Sequence, residues 1–265
     1  MKEINTTLKS VRNTDIPTTI FDCEKDKAPL IIFVHGFKAN RFEDYRFNQV
    51  AHELDCYGIT VGFPGCDESK EDFINYSLDS CLEEIELEYK YMLEHYSIDT
   101  DHLGLLGYSM GGRLISIFSN RHPEFKTMAF WAGATYDQKE YPKFLGPVYE
   151  DMAKEANEKG FYHYYNSFDG DYINLSKQLI DNMVEYTPCE LLKPFTGAAI
   201  VVHGDKDDTV EPEVGLKTYN ALENARVRKR VVVKDANHGF GQWDNHPEQS
   251  KQLVDCTSEF FKENL

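Results

Sequence analysis

The chain has 265 residues, a formal net charge of −17 and 41% hydrophobic residues, enough to fill the core of one large α/β domain. The acidity argues against nucleic acid as a partner, because a phosphate backbone is bound by clustered Lys and Arg. No apolar run is long enough to cross a bilayer, and Met1-Lys2-Glu3-Ile4-Asn5 lacks the profile of an export signal, so the expected location is cytoplasmic. Six cysteines (Cys23, Cys56, Cys66, Cys81, Cys189, Cys256) show no Cys-x-x-Cys spacing and read as free thiols, not as zinc ligands or a redox pair.

In chain order, Ile4 to Lys9 and Thr18 to Phe21 read as an antiparallel edge. Strands are then expected at Leu30 to His35, Ile59 to Phe63, His102 to Gly107, Thr127 to Ala132, Ala198 to His203 and Arg230 to Lys234. Helical patterns separate them, which predicts a mostly parallel sheet with helices on both faces. The longest helix carries Leu78, Leu82, Ile85, Tyr89, Met92, Leu93 and Tyr96 on one stripe, with acidic residues opposite.

The alternation breaks between residues 138 and 194, where aromatics are dense: Tyr141, Phe144, Tyr149, Phe161, Tyr162, Tyr164, Tyr165, Phe168 and Tyr172. This stretch reads as an insertion, with 1–137 and 195–265 forming the core domain. Phe168-Asp169-Gly170-Asp171 signals a hairpin turn inside it. Because it follows a strand's C-terminal end, it is expected to sit as a small cap over the edge where such sheets hold ligands.

The chemistry centres on Gly107-Tyr108-Ser109-Met110-Gly111-Gly112, between the apolar strand of Leu103, Leu105 and Leu106 and a helix facing inward through Leu114, Ile117 and Phe118. A serine between glycines at a strand-to-helix turn is a nucleophile elbow, and a serine hydroxyl needs a base. His238 in Ala236-Asn237-His238-Gly239-Phe240 follows the last strand and is the best placed. His35 and His203 precede glycines at strand ends and read as turn-shaping residues. The acid that orients the base is expected in His203-Gly204-Asp205-Lys206-Asp207-Asp208-Thr209-Val210. Asp207 fits that place best, Asp205 and Asp208 suit turn or capping roles, and Asp137 is a second position for the acid. The backbone N–H of Met110, after the nucleophile, and that of Phe37, in His35-Gly36-Phe37, are the expected oxyanion donors.

With these segments in this order, the chain resembles the α/β-hydrolase superfamily from about Ala28 to Phe261, and within it small bacterial carboxylesterases of the cinnamoyl or feruloyl esterase and monoglyceride lipase-like groups. The resemblance implies ester hydrolysis through an acyl-serine, no cofactor, and the roles of Ser109, Asp207 and His238 as triad with Phe37 and Met110 as oxyanion donors. It departs at Met110, where the feruloyl-type enzymes usually carry glutamine, and in Gly62-Phe63-Pro64-Gly65-Cys66-Asp67-Glu68-Ser69, which replaces an Arg-Gly-x-Gly-x-Ser loop. The expected partner is a small-molecule ester, and a homodimer is compatible with the sequence.

Overall fold

The computed structural model describes residues 1–138, 140, 147–166 and 170–265. Strands β1 (Lys2–Lys9) and β2 (Asp15–Asp22) form an antiparallel hairpin. They join β3 (Ala28–Val34), β4 (Tyr57–Thr60), β5 (Ile98–Tyr108), β6 (Thr127–Trp131), β9 (Ala198–Gly204) and β10 (Val227–Val233) in one sheet ordered β1-β2-β4-β3-β5-β6-β9-β10. From β4 to β10 every neighbouring pair is parallel, as the sequence predicts. Such strands are buried on both faces and so read as continuous apolar runs. In β3, Leu30, Ile32 and Val34 enter one core while Ile31 and Phe33 enter the other.

Helices α2 (Leu78–His95) and α3 (Met110–Arg121) cover the first of these faces. Helices α1 (Arg46–Glu53) and α8 (Pro247–Asn264) cover the second, where Phe47, Trp131, Phe240 and Phe260 meet. The edge strand β10 exposes Arg228, Lys229 and Arg230, charges that discourage pairing with another sheet.

Between β6 and β9 lie α4 (Pro147–Lys159), the antiparallel hairpin β7 (Phe161–Asn166) and β8 (Asp171–Ser176), α5 (Lys177–Glu185) and α6 (Pro188–Leu192). The hairpin forms its own two-stranded sheet. Tyr141, Phe144 and the Phe168-Asp169 half of the expected turn lie outside the described residues. Helix α7 (Pro212–Ala221) follows β9.

One expectation needs correcting. Helix α2 begins with a reciprocal cap, Ser80 N–H to Ser77 Oγ at 3.0 Å and Ser77 N–H to Ser80 Oγ at 2.9 Å, and buries Leu78, Leu82, Ile85, Tyr89 and Met92 as predicted. Its acids do not all face solvent: Glu84 and Glu88 are buried, and Leu93 is exposed. The helix packs against the β1–β2 hairpin, so Glu84 meets the Arg12 guanidinium and Glu88 the Thr18 hydroxyl at 3.4 Å. Periodicity marks the apolar stripe but does not reveal a second neighbour on the polar side.

Burial raises the Glu84 carboxyl to about 8, outweighing the pull of Arg12, and burial pushes Glu88 upward as well. A folded-state pKa above the unfolded value means the native protein holds a proton that the unfolded chain has released. Stability therefore falls as pH rises from about 4.5 towards 8. Thermal melts should show a Tm that declines from pH 5 to pH 8, and Glu84→Gln should flatten part of that decline. A wild-type Tm that stays level across the range would contradict it.

Candidate active site

Three loops leave the carboxyl ends of β3, β5 and β9 on one side of the sheet, and a fourth follows β10. The turn between β5 and α3 holds Ser109 at φ 53° and ψ −116°. A non-glycine residue there is strained by about 1–3 kcal/mol, and persists only where its surroundings fix it. The Ser109 N–H donates to the Trp131 carbonyl at 2.8 Å, while the Ser109 carbonyl accepts from Gly112 at 3.0 Å and Ala134 at 2.8 Å. The turn also needs its glycines. A Cβ at Gly107 would come within 2.4 Å of the Gly111 carbonyl oxygen, and one at Gly111 within 2.0 Å of the Val34 carbonyl oxygen.

His238 reaches the serine from the loop after β10. Its Nε2 lies 3.0 Å from Ser109 Oγ, and its Nδ1 lies 2.7 Å from Asp207 Oδ2. A carboxylate can only accept, so Nδ1 carries the proton and the Nε2 lone pair faces the hydroxyl. The ring stacks on Tyr108 with centroids 5.1 Å apart, and the Tyr108 hydroxyl donates to the His238 carbonyl at 2.8 Å.

Asp207 is buried in the loop between β9 and α7. Its Oδ1 accepts from the N–H groups of Thr209 at 3.0 Å and Val210 at 2.9 Å, and His203 Nε2 stands 3.1 Å from Oδ2. Burial alone would raise this carboxyl, but the hydrogen bonds from His203 and His238 and the Val210 N–H hold it well below the usual carboxylate range. The other acids are occupied elsewhere. Asp205 Oδ1 accepts from Asp235 N–H at 2.6 Å, a contact with the loop after β10 and not within its own turn, and Asp137 Oδ1 faces the N–H of Cys189 at 3.3 Å. Asp208 lies exposed.

Phe37 follows β3 and packs its ring edge-on against Phe73 and Tyr76. Met110 opens α3. Among the described residues neither N–H has an acceptor within the chain. His35 fixes the peptide between Gly36 and Phe37: its Nδ1–H donates to the Gly36 carbonyl at 2.7 Å, and its Nε2 accepts from Phe63 N–H at 3.3 Å. Burial lowers its pKa to about 4, so the ring is neutral and keeps that tautomer. It does shape the turn, as its sequence context predicts.

A cavity of about 260 Å³ opens beside Ser109 and His238, walled in part by Phe37, Tyr108, Thr209 and Trp243. Among the described residues it takes no wall from the 138–194 insertion, whose Tyr149, Tyr162 and Tyr164 pack against the core while Tyr165 and Tyr172 are exposed. A larger depression of about 770 Å³ lies between α1 and α8 and touches neither Ser109 nor His238, so size alone does not mark the chemistry. Cys66 is buried in the core, its thiol raised to about 12 by burial, and does not line the cavity. The sequence pattern missed Trp243, whose ring centre lies 6.0 Å from that of His238. Its exposed loop lacks periodicity, and an isolated tryptophan is the only local signal. It also missed the second partner of Asp207, His203.

Residues 79–265 match the model of the prolyl oligopeptidase family. None of the curated proteins matches the sequence. Among solved structures, Est1E from Butyrivibrio proteoclasticus with ferulic acid bound superposes with a TM-score of 0.78 at 18% identity, covering 98% of each chain. A putative hydrolase from Agrobacterium vitis S4 gives 0.75 at 14% identity over 98% of each chain. The alpha/beta hydrolase domain-containing protein 10 from mouse gives 0.72 at 16% identity, over 98% of this chain and 99% of that one. The eight-stranded, mostly parallel sheet is thus that of the α/β hydrolases, and the chain belongs to the prolyl oligopeptidase family within that superfamily of serine hydrolases.

Proposed function

We propose that the chain is a serine carboxylesterase acting on small esters with an apolar or aromatic group. The observation that carries this reading is the 3.0 Å approach of His238 Nε2 to Ser109 Oγ, in a cavity whose other walls include aromatic rings. In this reading Ser109 Oγ attacks the ester carbonyl carbon as its proton passes to Nε2, and Asp207 stabilises the imidazolium. The carbonyl oxygen becomes an oxyanion between the N–H groups of Phe37 and Met110, each worth about 3–4 kcal/mol in the transition state. Collapse expels the alcohol, protonated by Nε2–H, and leaves an acyl-serine. Water, deprotonated by the same nitrogen, attacks the acyl carbon and frees the acid and Ser109.

Ferulic acid in Est1E supports an aromatic acyl group, to which Phe37, Tyr108 and Trp243 would offer ring faces and edges. Residues 138–194 are read as a cap insertion with its own hairpin, which among the described residues does not line this cavity. The family match favours a second reading, amide or peptide hydrolysis by the same groups. A fluorophosphonate probe should label the wild type and not Ser109→Ala, and p-nitrophenyl esters should turn over faster than aminoacyl anilides. Turnover of the anilides alone would assign the amide reading. Absence of labelling would leave a hydrolase-fold binding protein.

A further inference from the structure

We infer that Glu43, through its buried contact with Gly36 and its ion pair with Arg46, is a positioning residue that sets the oxyanion donor on the β3 loop. The inference rests on the proposed roles of Ser109, His238 and Phe37. Glu43, Asp44 and Tyr45 follow one another at φ 45°, 54° and 68°, three left-handed non-glycine residues in a row. Such a run is unfavourable and needs restraint from outside. Restraint is present: Glu43 N–H donates to the Asn40 carbonyl at 3.1 Å, and the Glu43 carbonyl accepts from Arg46 N–H at 3.2 Å and Arg46 Nε–H at 3.0 Å.

The turn drives the Glu43 side chain inward, where Oε1 accepts the Gly36 N–H at 2.7 Å and Oε2 lies 3.6 Å from Arg46 Nη2. Both side chains are about 4% exposed, and both residues line the cavity of Ser109. Arg46 in turn donates from Nη1 to the Gly239 carbonyl at 3.1 Å and lies over the Tyr108 ring at 5.1 Å. The pair therefore touches Gly36, Tyr108 and Gly239. Each is one residue from a group the reaction uses: the Phe37 N–H, Ser109 and His238.

Stability does not require such a pair, since well-packed apolar residues in the same volume often serve a fold as well or better. Geometry does require it. Gly36 has no side chain of its own to pack, and its two peptide groups are held from opposite sides, the N–H by Glu43 and the carbonyl by His35 and the Ala39 N–H at 3.3 Å. The Phe37 N–H shares a peptide plane with that carbonyl, and the two planes meet at Gly36, whose φ and ψ no side chain restricts, so freeing the Gly36 N–H loosens one of the two anchors that set the donor's direction. A displacement of about 1 Å from a productive geometry can cost on the order of a hundredfold in rate.

The test is hydrolysis of p-nitrophenyl butyrate by Glu43→Ala and Glu43→Gln. Glu43→Ala should lower kcat about ten- to a hundredfold with KM within about threefold, and should weaken a trifluoromethyl ketone, which forms a tetrahedral oxyanion, by the same factor. Glu43→Gln keeps an acceptor for Gly36 and should recover kcat to within about fivefold of the wild type. The low-field Nδ1–H resonance of His238 should persist in both. If Glu43→Ala does not fold, Glu43→Met, similar in length and without a strong acceptor, replaces it with the same expectations. A wild-type kcat in the Ala or Met variant, a loss confined to KM, or a Gln variant as slow as Ala overturns the inference. Fluorophosphonate labelling separates the two levels: an unlabelled wild type overturns the reading of the site and this inference with it, whereas a labelled wild type with any of those results overturns Glu43 alone.

Discussion

Ser109→Ala is expected to lower kcat for p-nitrophenyl esters by about a millionfold, and His238→Ala by nearly as much, measured against wild type at neutral pH. The size follows from the chain of hydrogen bonds. In the proposed mechanism Ser109 becomes a nucleophile only through His238, whose Nε2 lies 3.0 Å from Oγ and whose Nδ1 lies 2.7 Å from Asp207. Removing either group removes the same step, so the double variant should be no slower than the single ones. Residual turnover of about 10³–10⁴ over water should remain in all three, because the proposed oxyanion donors, the N–H groups of Phe37 and Met110, are left in place. Additive losses in the double variant would mean that the two side chains act in separate steps.

Much of this layout is legible in the residues themselves, and the boundaries of that legibility are physical. The elbow can be read because strand, turn and helix each leave a local mark: the buried Leu103, Leu105 and Leu106, the glycines that let backbones touch, and the inward stripe of α3. Strand ends are less clear. Strand β5 begins at Ile98, not His102, through polar residues that periodicity reads as loop, and β4 stops at Thr60 while the buried Phe63 continues apolar outside the ladder. Asp207 could be chosen over Asp205 and Asp208 by its place in the loop, yet the His203 contact that helps hold it ionised depends on how the chain folds back. The same is true of the Glu43–Arg46 pair, of the buried acids of α2 and of Trp243. Each is made by segments distant in sequence, and no local pattern records such a meeting.

Asp207→Asn should reduce kcat by about 10⁴, less than loss of the serine but far more than any neighbouring acid. Asparagine preserves the shape of the loop and can still accept from Thr209 and Val210 through its oxygen. Its amide then faces His238 Nδ1 with a donor, which favours the tautomer with the proton on Nε2, pointed at Ser109 instead of away from it. Asp137→Asn should stay within about twofold of wild type, because its carboxylate serves the backbone N–H of Cys189. Activity lost in Asp137→Asn and kept in Asp207→Asn would show that the acid had been chosen wrongly. A second readout distinguishes orientation from bulk stability. Asp207 is held below its unfolded pKa of about 3.9, so the stabilisation from its ionised form is present above that value and drains away as acid brings pH towards the depressed one. Acid melts of Asp207→Asn should lack that component. At neutral pH the variant should therefore melt below the wild type, by a gap that closes towards acid, yet stay folded at the assay temperature while kcat is lost, a combination that misplacement of a single proton produces and general unfolding does not.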